Sequence, residues 1–358
     1  MSERFSLIKK ILAPLLFILS KFLRKIFSRK KNDKNLVILS FCNLGDTILS
    51  VPSFKKIIEF YPDYQISVLT YSHLLPVFDE LKLELNVHSV HKKDFLHGRI
   101  ATKNVREKVK SLNPKIIYDL SGDIHTASII INSSAEKIYG ITRPLYTGLF
   151  DKYVPLRTTP GLADIYLDGA EIGGKIERKS ELYDFNIPVS KGEHITICPI
   201  AGWDAKEWGI KNYSSLALLL SKEYKVRFVI EKGTIKKDVI KGISEICPVL
   251  ESENVKDLIN LIKDSKLIIC NDSGPSHVAS ITGTPVFIIF GPTNPEYCVP
   301  LTKYHKYFVK RIACSPVDTN YCHTYAGRYC QVRDCIKNIT VPEIYKSVDE
   351  YIRNSFIK

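Results

Sequence analysis

Asn271-Asp272-Ser273-Gly274-Pro275-Ser276-His277-Val278-Ala279-Ser280 is the stretch on which the reading of this chain turns. Before it, Leu267-Ile268-Ile269-Cys270 is a short apolar run that reads as a buried strand. After Gly283-Thr284-Pro285, Val286-Phe287-Ile288-Ile289-Phe290 reads as the next strand, and Gly291-Pro292-Thr293 closes it. The helix between them opens on Asp-Ser-Gly, so the pattern is a βαβ unit with small polar residues where the helix begins. Amides at a helix N-terminus lack intrahelical partners and point outward, which suits a phosphate. Gly274 lets the backbone come close, and Pro275 suits the first helical turn. Ser273 and Ser276 add hydroxyls and His277 adds a ring. Alone, the stretch also fits an ordinary capped helix.

Working outward, strands alternate with helices through most of the chain. Runs at 35–40, 65–70, 86–90 and 115–120 read as strands, with helices over 47–60, 74–82 and 99–112. Residues 151–190 lose the alternation and gather Pro155, Pro160, Gly161, Gly173, Gly174 and Pro188, which places a domain boundary near 186–192. The alternation then restarts, with strands at 194–199, 225–230, 267–270 and 286–290 and helices at 212–223, 236–246, 255–263 and 275–282. The expected organisation is a basic amphipathic segment over 1–34, one Rossmann-like domain over 35–188, a second over 189–340, and a C-terminal helix over 341–358. Ligands of such sheets sit at the carboxyl ends of the strands.

Charge is uneven. The chain carries +13, and residues 1–34 hold ten Lys/Arg against Glu3 and Asp33, so this segment supplies +8. Its apolar residues, from Phe5 through Ile8, Leu12, Leu15, Leu19, Phe22 and Ile26, recur in steps of three and four. The longest uncharged run, 11–20, is ten residues. That is about half of what a helix needs to span a bilayer. Pro14 is expected to kink it. A helix lying in the interface, with Lys/Arg and the cluster Arg29-Lys30-Lys31 meeting anionic lipid, is the expected use. A signal-anchor and a solvated basic arm are the alternatives; nucleic acid has no use for the apolar stripe.

Three segments carry chemistry. In Asn43-Leu44-Gly45-Asp46, Gly45 permits a strand-to-helix turn and Asp46 stands at the helix start. There it can cap the helix or remove a proton from a hydroxyl. In Trp203-Asp204-Ala205-Lys206-Glu207-Trp208, Lys206 lies between the chain's two tryptophans and can neutralise a diphosphate. Asp272 and the amides after it complete the set, since donors aimed at a leaving diphosphate lower the barrier to its departure. Ser121-Gly122-Asp123-Ile124-His125 also follows a strand, so Asp123 and His125, with Asn43, are candidates for an acceptor side. Cys314, Cys322, Cys330 and Cys335 are spaced C-x7-C-x7-C-x4-C with His323 among them, wider than the close pairs of zinc sites, so no metal is assigned and loop thiols are expected.

Together these segments resemble glycosyltransferase family 9, the bacterial heptosyltransferases of the lipopolysaccharide inner core. The resemblance covers about residues 35–340 and rests on Asn-Leu-Gly-Asp46 with Pro52, on Asp272-Ser-Gly-Pro-Ser-His277 with its downstream Gly-Thr-Pro-Val and Phe-Gly-Pro-Thr293, and on the loop with Lys206 before Trp208. It implies a GT-B fold, two Rossmann-like parallel-sheet domains facing across a cleft, here preceded by the amphipathic helix. It also implies an inverting, metal-independent transfer without a cofactor, typically from ADP-heptose, to a lipopolysaccharide core or other lipid-linked saccharide. Asp46 would be the base. Lys206 and Asp272 would bind the donor sugar and phosphates, and Ser273, Gly274, Ser276 and His277 would hold the diphosphate. Where the family carries Gly-Gly-Pro and a Glu for the nucleoside, this chain reads Glu231-Lys232-Gly233-Thr234-Ile235-Lys236, with Lys236 at the expected place unless Glu231 substitutes. Another nucleoside-diphosphate sugar on the same fold, or a non-catalytic nucleotide-sugar binding protein at the membrane, are the rival readings. The implied location is the cytoplasmic face of the inner membrane.

Overall fold

The computed structural model describes residues 2–27, 33–157, 161–322 and 329–355, with side chains from 14 to 354 among these except that of residue 27. The cluster Arg29-Lys30-Lys31 and His323 lie outside the described residues. The chain divides into two compact units, 1–178 and 179–358.

The first unit begins with helix α1 (Ser2–Phe27), followed by β1 (Asn35–Ser40), α2 (Leu44–Phe60), β2 (Gln65–Tyr71), α3 (Leu75–Leu81) and β3 (Asn86–Val90). A small ribbon, β4 (Phe95–Leu96) with β5 (Ile100–Ala101), leads to α4 (Lys103–Ser111), β6 (Ile116–Asp119), α5 (Ile124–Ile130), β7 (Lys137–Thr142), β8 (Lys152–Pro155) and α6 (Leu162–Glu171). Six strands form one parallel sheet in the order β3-β2-β1-β6-β7-β8. β1 and β6 are near-continuous apolar runs, as sheets covered on both faces require, and Val37, Leu39 and Ile117 lie in the core.

The second unit repeats the plan. It runs β9 (His194–Cys198), α7 (Ile210–Leu220), β10 (Val226–Glu231), α8 (Lys237–Ser244), β11 (Val249–Ser252), α9 (Val255–Lys263), β12 (Ser265–Asn271), α10 (Gly274–Thr282) and β13 (Val286–Ile289). Short α11 (Pro295–Cys298), β14 (His305–Phe308), short α12 (Asp334–Lys337) and α13 (Val341–Ser355) follow. The order is β11-β10-β9-β12-β13-β14, all parallel. Apolar residues at steps of four on α13, Ile344, Val348 and Ile352, pack into the core of this sheet. Both sheets therefore have the doubly wound order, which reverses direction between β1 and β6 and again between β9 and β12.

The stretch 151–190 holds β8 and α6, which its Pro and Gly content conceals. Pro14 lies inside α1 without ending it. The basic residues Lys21, Arg24 and Lys25, expected to face lipid, turn onto the body instead and cluster on Asp151. The half-buried Asp151 carboxylate is the partner that draws them in, and Arg24 is itself buried against it. Among the described residues, no helix is long and apolar enough to cross a membrane.

Candidate active site

Each segment singled out in the sequence falls at the carboxyl end of a strand bordering a reversal. Asn43 and Asp46 follow β1, and Asp123 and His125 follow β6; Lys206 follows β9, and Asp272 through His277 follow β12. Loops at such places stand apart because the connections on either side leave in opposite directions.

In the second unit, β12 ends on Asn271, which is fully buried. A buried amide must find partners. Its Oδ1 accepts from the Trp208 amide and the Tyr213 hydroxyl, both at 3.0 Å, and its Nδ2 donates to the Pro199 carbonyl at 2.6 Å. The loop from β9 is thus tied to the end of β12 at both ends. The Trp208 indole donates to the Ile339 carbonyl at 2.7 Å and sits in the core, whereas Trp203 lies against Lys206. This bracing brings Lys206 Nζ to 2.5 Å from Asp272 Oδ2. Burial disfavours the charge on Lys206, but Asp272 outweighs it and its pKa rises. Burial likewise opposes ionisation of Asp272, but the Lys206 ammonium holds its carboxyl below the usual range. The result is an ion pair with the Trp203 and Tyr321 rings 5.3 and 6.0 Å from the ammonium. Cys298 Sγ donates to Asp272 Oδ1 at 3.5 Å.

Ser273 is the N-cap of α10, but its side chain does not cap the helix; it donates to the Asn271 carbonyl at 3.2 Å. Ser276 Oγ donates to the Ser273 carbonyl at 2.7 Å. Gly274 opens the helix, and Gly283 ends it at φ +70, where a Cβ would stand 2.1 Å from the Pro188 carbonyl oxygen. His277 is 5% exposed, and among the described residues its buried Nδ1 has no hydrogen-bond partner. Burial pushes its pKa down to about 4, with Asp272 and Lys206 both close enough to act on it. The ring is neutral at pH 7 and retains an unmet polar atom beside a buried ion pair. Glu231 and Lys236 are exposed at the end of β10 and the N-cap of α8.

In the first unit the N-cap of α2 is Asn43, and Asp46 stands half-buried in the first turn. The structure gathers Asp46 and Asp123 around Cys42, whose thiol is raised to about 12 by burial and then by the Asp46 carboxylate. Asp123 accepts from the His125 and Thr126 amides as the N-cap of α5, and its other oxygen meets His125 Nδ1 at 2.8 Å. His125 Nε2 lies 2.6 Å from the Gly98 carbonyl. Both ring nitrogens thus face acceptors, and the Asp123 hydrogen bond raises the imidazole pKa. Asp119, at the end of β6, is buried and accepts from the amides of Ser121 and Gly122 at 2.8 and 3.0 Å. Burial pushes its carboxyl up to about 7.

The four tail cysteines are free thiols, and Cys322 and Cys335 are buried. Among the described residues, no group of three or more His, Cys, Asp or Glu side chains is placed to hold a metal ion. Sequence reasoning missed Asn271, Asp119 and the Lys206–Asp272 contact. A polar residue ending a buried apolar strand is the sequence sign of the first two.

Two doubly wound units with these loops at their reversals define the GT-B class of fold. The structure of E. coli ADP-heptose lps heptosyltransferase II superposes with a TM-score of 0.68, at 18% identity over 90% of this chain and 99% of that one. Residues 162–324 match the profile of glycosyltransferase family 9 (heptosyltransferase). Lipooligosaccharide heptosyltransferase 2 of Haemophilus influenzae is 29% identical over 120 residues, 30% of this chain and 34% of that protein. The chain thus spans only about a third of the length of this curated relative in the aligned segment. Lipopolysaccharide heptosyltransferase 3 of E. coli K12 is 23% identical over 291 residues, 72% of this chain and 83% of that protein. Over the matched residues, just under half of its length, the chain is thus similar to glycosyltransferase family 9.

Proposed function

We propose that this protein is an inverting glycosyltransferase that moves a heptose from ADP-heptose to a lipopolysaccharide-core or other lipid-linked saccharide, without a metal, at the cytoplasmic face of the inner membrane. The observation that carries the reading is the end of β12: the Lys206–Asp272 pair, the α10 N-terminus without a side-chain cap, and a buried His277 nitrogen that has no partner among the described residues. A nucleoside diphosphate would complete all three. Its phosphates would lie on the α10 amides and Lys206, its sugar hydroxyls on Asp272, and a donor or acceptor atom would meet His277. One similar protein of solved structure is itself described as an ADP-heptose heptosyltransferase, which supports the choice of donor.

In the reaction, Asp46 takes the proton of an acceptor hydroxyl while that oxygen forms a bond to the anomeric carbon. The bond from that carbon to the diphosphate breaks, and its electron pair leaves with the diphosphate. Lys206 and the α10 amides already face that charge, so little reorganisation is needed. Inversion follows from attack opposite the leaving group. Asn43 and Asp123 would contact the acceptor, while His125 would position Asp123 rather than act as a base, because both its nitrogens are engaged.

The exposed Glu231 and Lys236, where the nucleoside base is expected to bind, favour a second reading in which another nucleoside-diphosphate sugar is the donor. A thermal-shift screen of the full chain against ADP, UDP, GDP, CMP and ADP-heptose, with and without EDTA, tests both. Selective stabilisation by ADP and ADP-heptose, unchanged by EDTA, is expected. Selective stabilisation by another nucleotide replaces the donor, and no shift with any of them overturns donor binding. Binding of donor with no turnover on any lipid-linked acceptor would leave a non-catalytic binding protein.

A further inference from the structure

Helix α1 has two faces of opposite use. Its polar face is spent on the first unit. Ser20 Oγ donates to the Ile131 carbonyl at 3.0 Å, and Lys21 to the Phe150 carbonyl. Arg24 is buried and donates to the Ala135 carbonyl at 2.9 Å, the Leu149 carbonyl at 3.3 Å and Asp151 at 3.0 Å. Gly148 lets the helix come close: a Cβ there would stand 3.0 Å from Ile18 Cγ1 and 3.1 Å from the Ile18 amide nitrogen. The opposite face is apolar and bare. Leu15, Leu19, Phe22 and Ile26, flanked by Leu16 and Leu23, are each 43 to 60% exposed. Residues spaced four, three and four apart on a helix form one continuous stripe.

An amphipathic helix on a globular body normally buries the stripe and wets the charges. Here the arrangement is reversed, and water alone does not favour it. Each such side chain left in water forgoes burial that typically favours the hidden state strongly. In sequence, the stripe is bracketed by Arg4, Lys9 and Lys10 before it and Arg29, Lys30 and Lys31 after it. Apolar side chains between two basic clusters match the acyl boundary and anionic headgroups of a bilayer. A second copy of the chain is a poorer match, because it would bring two +8 segments together.

We propose that the stripe Leu15–Ile26 is a monolayer-inserting surface clamped rigidly to the first unit, so that it sets the pose of that unit on an anionic bilayer rather than acting as a flexible tether. This deepens the membrane reading above and rests on it. The clamp reaches the acceptor side. The Phe17 ring lies 5.7 Å from the Tyr146 ring, and Tyr146 is in electrostatic range of Asp123, Arg143 and Arg99. The lipid-facing helix therefore sits next to the loops that would receive the acceptor. A saccharide carried on a lipid in the same bilayer would arrive beside them, with its apolar part left in the membrane.

The test is flotation of the full chain with vesicles of phosphatidylcholine alone or mixed with anionic phosphatidylglycerol, for the wild type and L19E/F22E. Both substitutions are on the exposed face and leave the clamp untouched, and circular dichroism with the ADP-induced thermal shift checks the fold. Wild type is expected to float with mixed vesicles, and the variant to partition at least about a hundredfold less, since two large apolar side chains are lost. Equal flotation of the two would overturn the proposal by assigning binding to charge alone. No flotation of either would overturn it as well. So would wild-type dimers in sedimentation that the variant converts to monomers without vesicle binding, since the stripe would then be a self-association face. The ADP shift reports the donor reading separately, so either can fail alone.

Discussion

The two sheets share one strand order yet end their sixth and twelfth strands differently. β6 ends on Asp119 and β12 on Asn271, each buried beside its sheet's reversal. Asn271 is neutral and reaches across to the neighbouring loop, fastening Pro199 and Trp208 and so placing Lys206. Asp119 accepts from its own loop and the helix after it, from the amides two and three residues on and from the Thr126 side chain, and burial drives its carboxyl up to about 7. In the loop after Asp119 the polar groups satisfy one another: Asp123 caps α5, His125 uses both nitrogens, and Ser121 Oγ accepts from the Phe41 amide at 2.8 Å. In the segment after Asn271 they do not, because among the described residues His277 Nδ1 meets no hydrogen-bond partner beside a buried ion pair. Equal topology fixes where ligands meet a sheet; the residues at that place decide whether the site is complete without one.

The largest expected effect is at Asp46. Asp46→Ala is expected to lower transfer by about a hundred- to ten-thousandfold while the donor-induced thermal shift stays as in wild type. Near-normal turnover would remove Asp46 from the chemistry. Next in size, Lys206→Met leaves the Asp272 carboxylate buried and unpaired, which should cost about 3–5 kcal/mol in denaturant unfolding. The double variant Lys206→Met/Asp272→Leu should recover much of that loss without recovering donor binding. A single-variant loss near zero would mean the pair is not formed in solution.

Two smaller effects sharpen the contrast between the sheets. The folded pKa of Asp119 is raised above its unfolded value, so its contribution is fully present below about 4 and is lost as pH rises to about 7. Asp119→Asn makes the first sheet resemble the second. Relative to wild type, it should gain stability progressively across that window and hold the gain at pH 8. A pH-independent difference would place the carboxylate in contact with water. His277 runs the other way. Its folded pKa, about 4, is depressed, so its contribution is present above the ordinary value of 6.5 and is lost as pH falls toward 4. His277→Leu removes the unmet nitrogen, so the ligand-free protein should be more stable by about 1 kcal/mol, measured at pH 7, and the ADP-induced shift should shrink. A larger ADP shift in that variant would show that the ring is not part of the donor site.

Much of this was legible in the chain itself. Apolar runs alternating with helical periods announced parallel sheets, because strands covered on both faces carry few polar residues. The strands at 35–40 and 86–90 lie where the pattern put them. Asp46, Lys206 and Asp272 could be placed at strand ends, since strand-to-helix turns need Gly and small polar residues. Local periodicity did not reveal β8 and α6, where Pro and Gly imitate a linker. It also could not show that Lys206 meets Asp272 across 66 residues, or that Asn271 makes that meeting possible. The stripe on α1 was visible as a period of three and four, but not which side the body would take. Periodicity defines faces by angle about a helix axis; Asp151 and two backbone carbonyls, all more than a hundred residues away, decided that Arg24 turned inward and the leucines outward. Sequence determines what each segment can bury, and only the assembled chain supplies the partner that determines what it does bury.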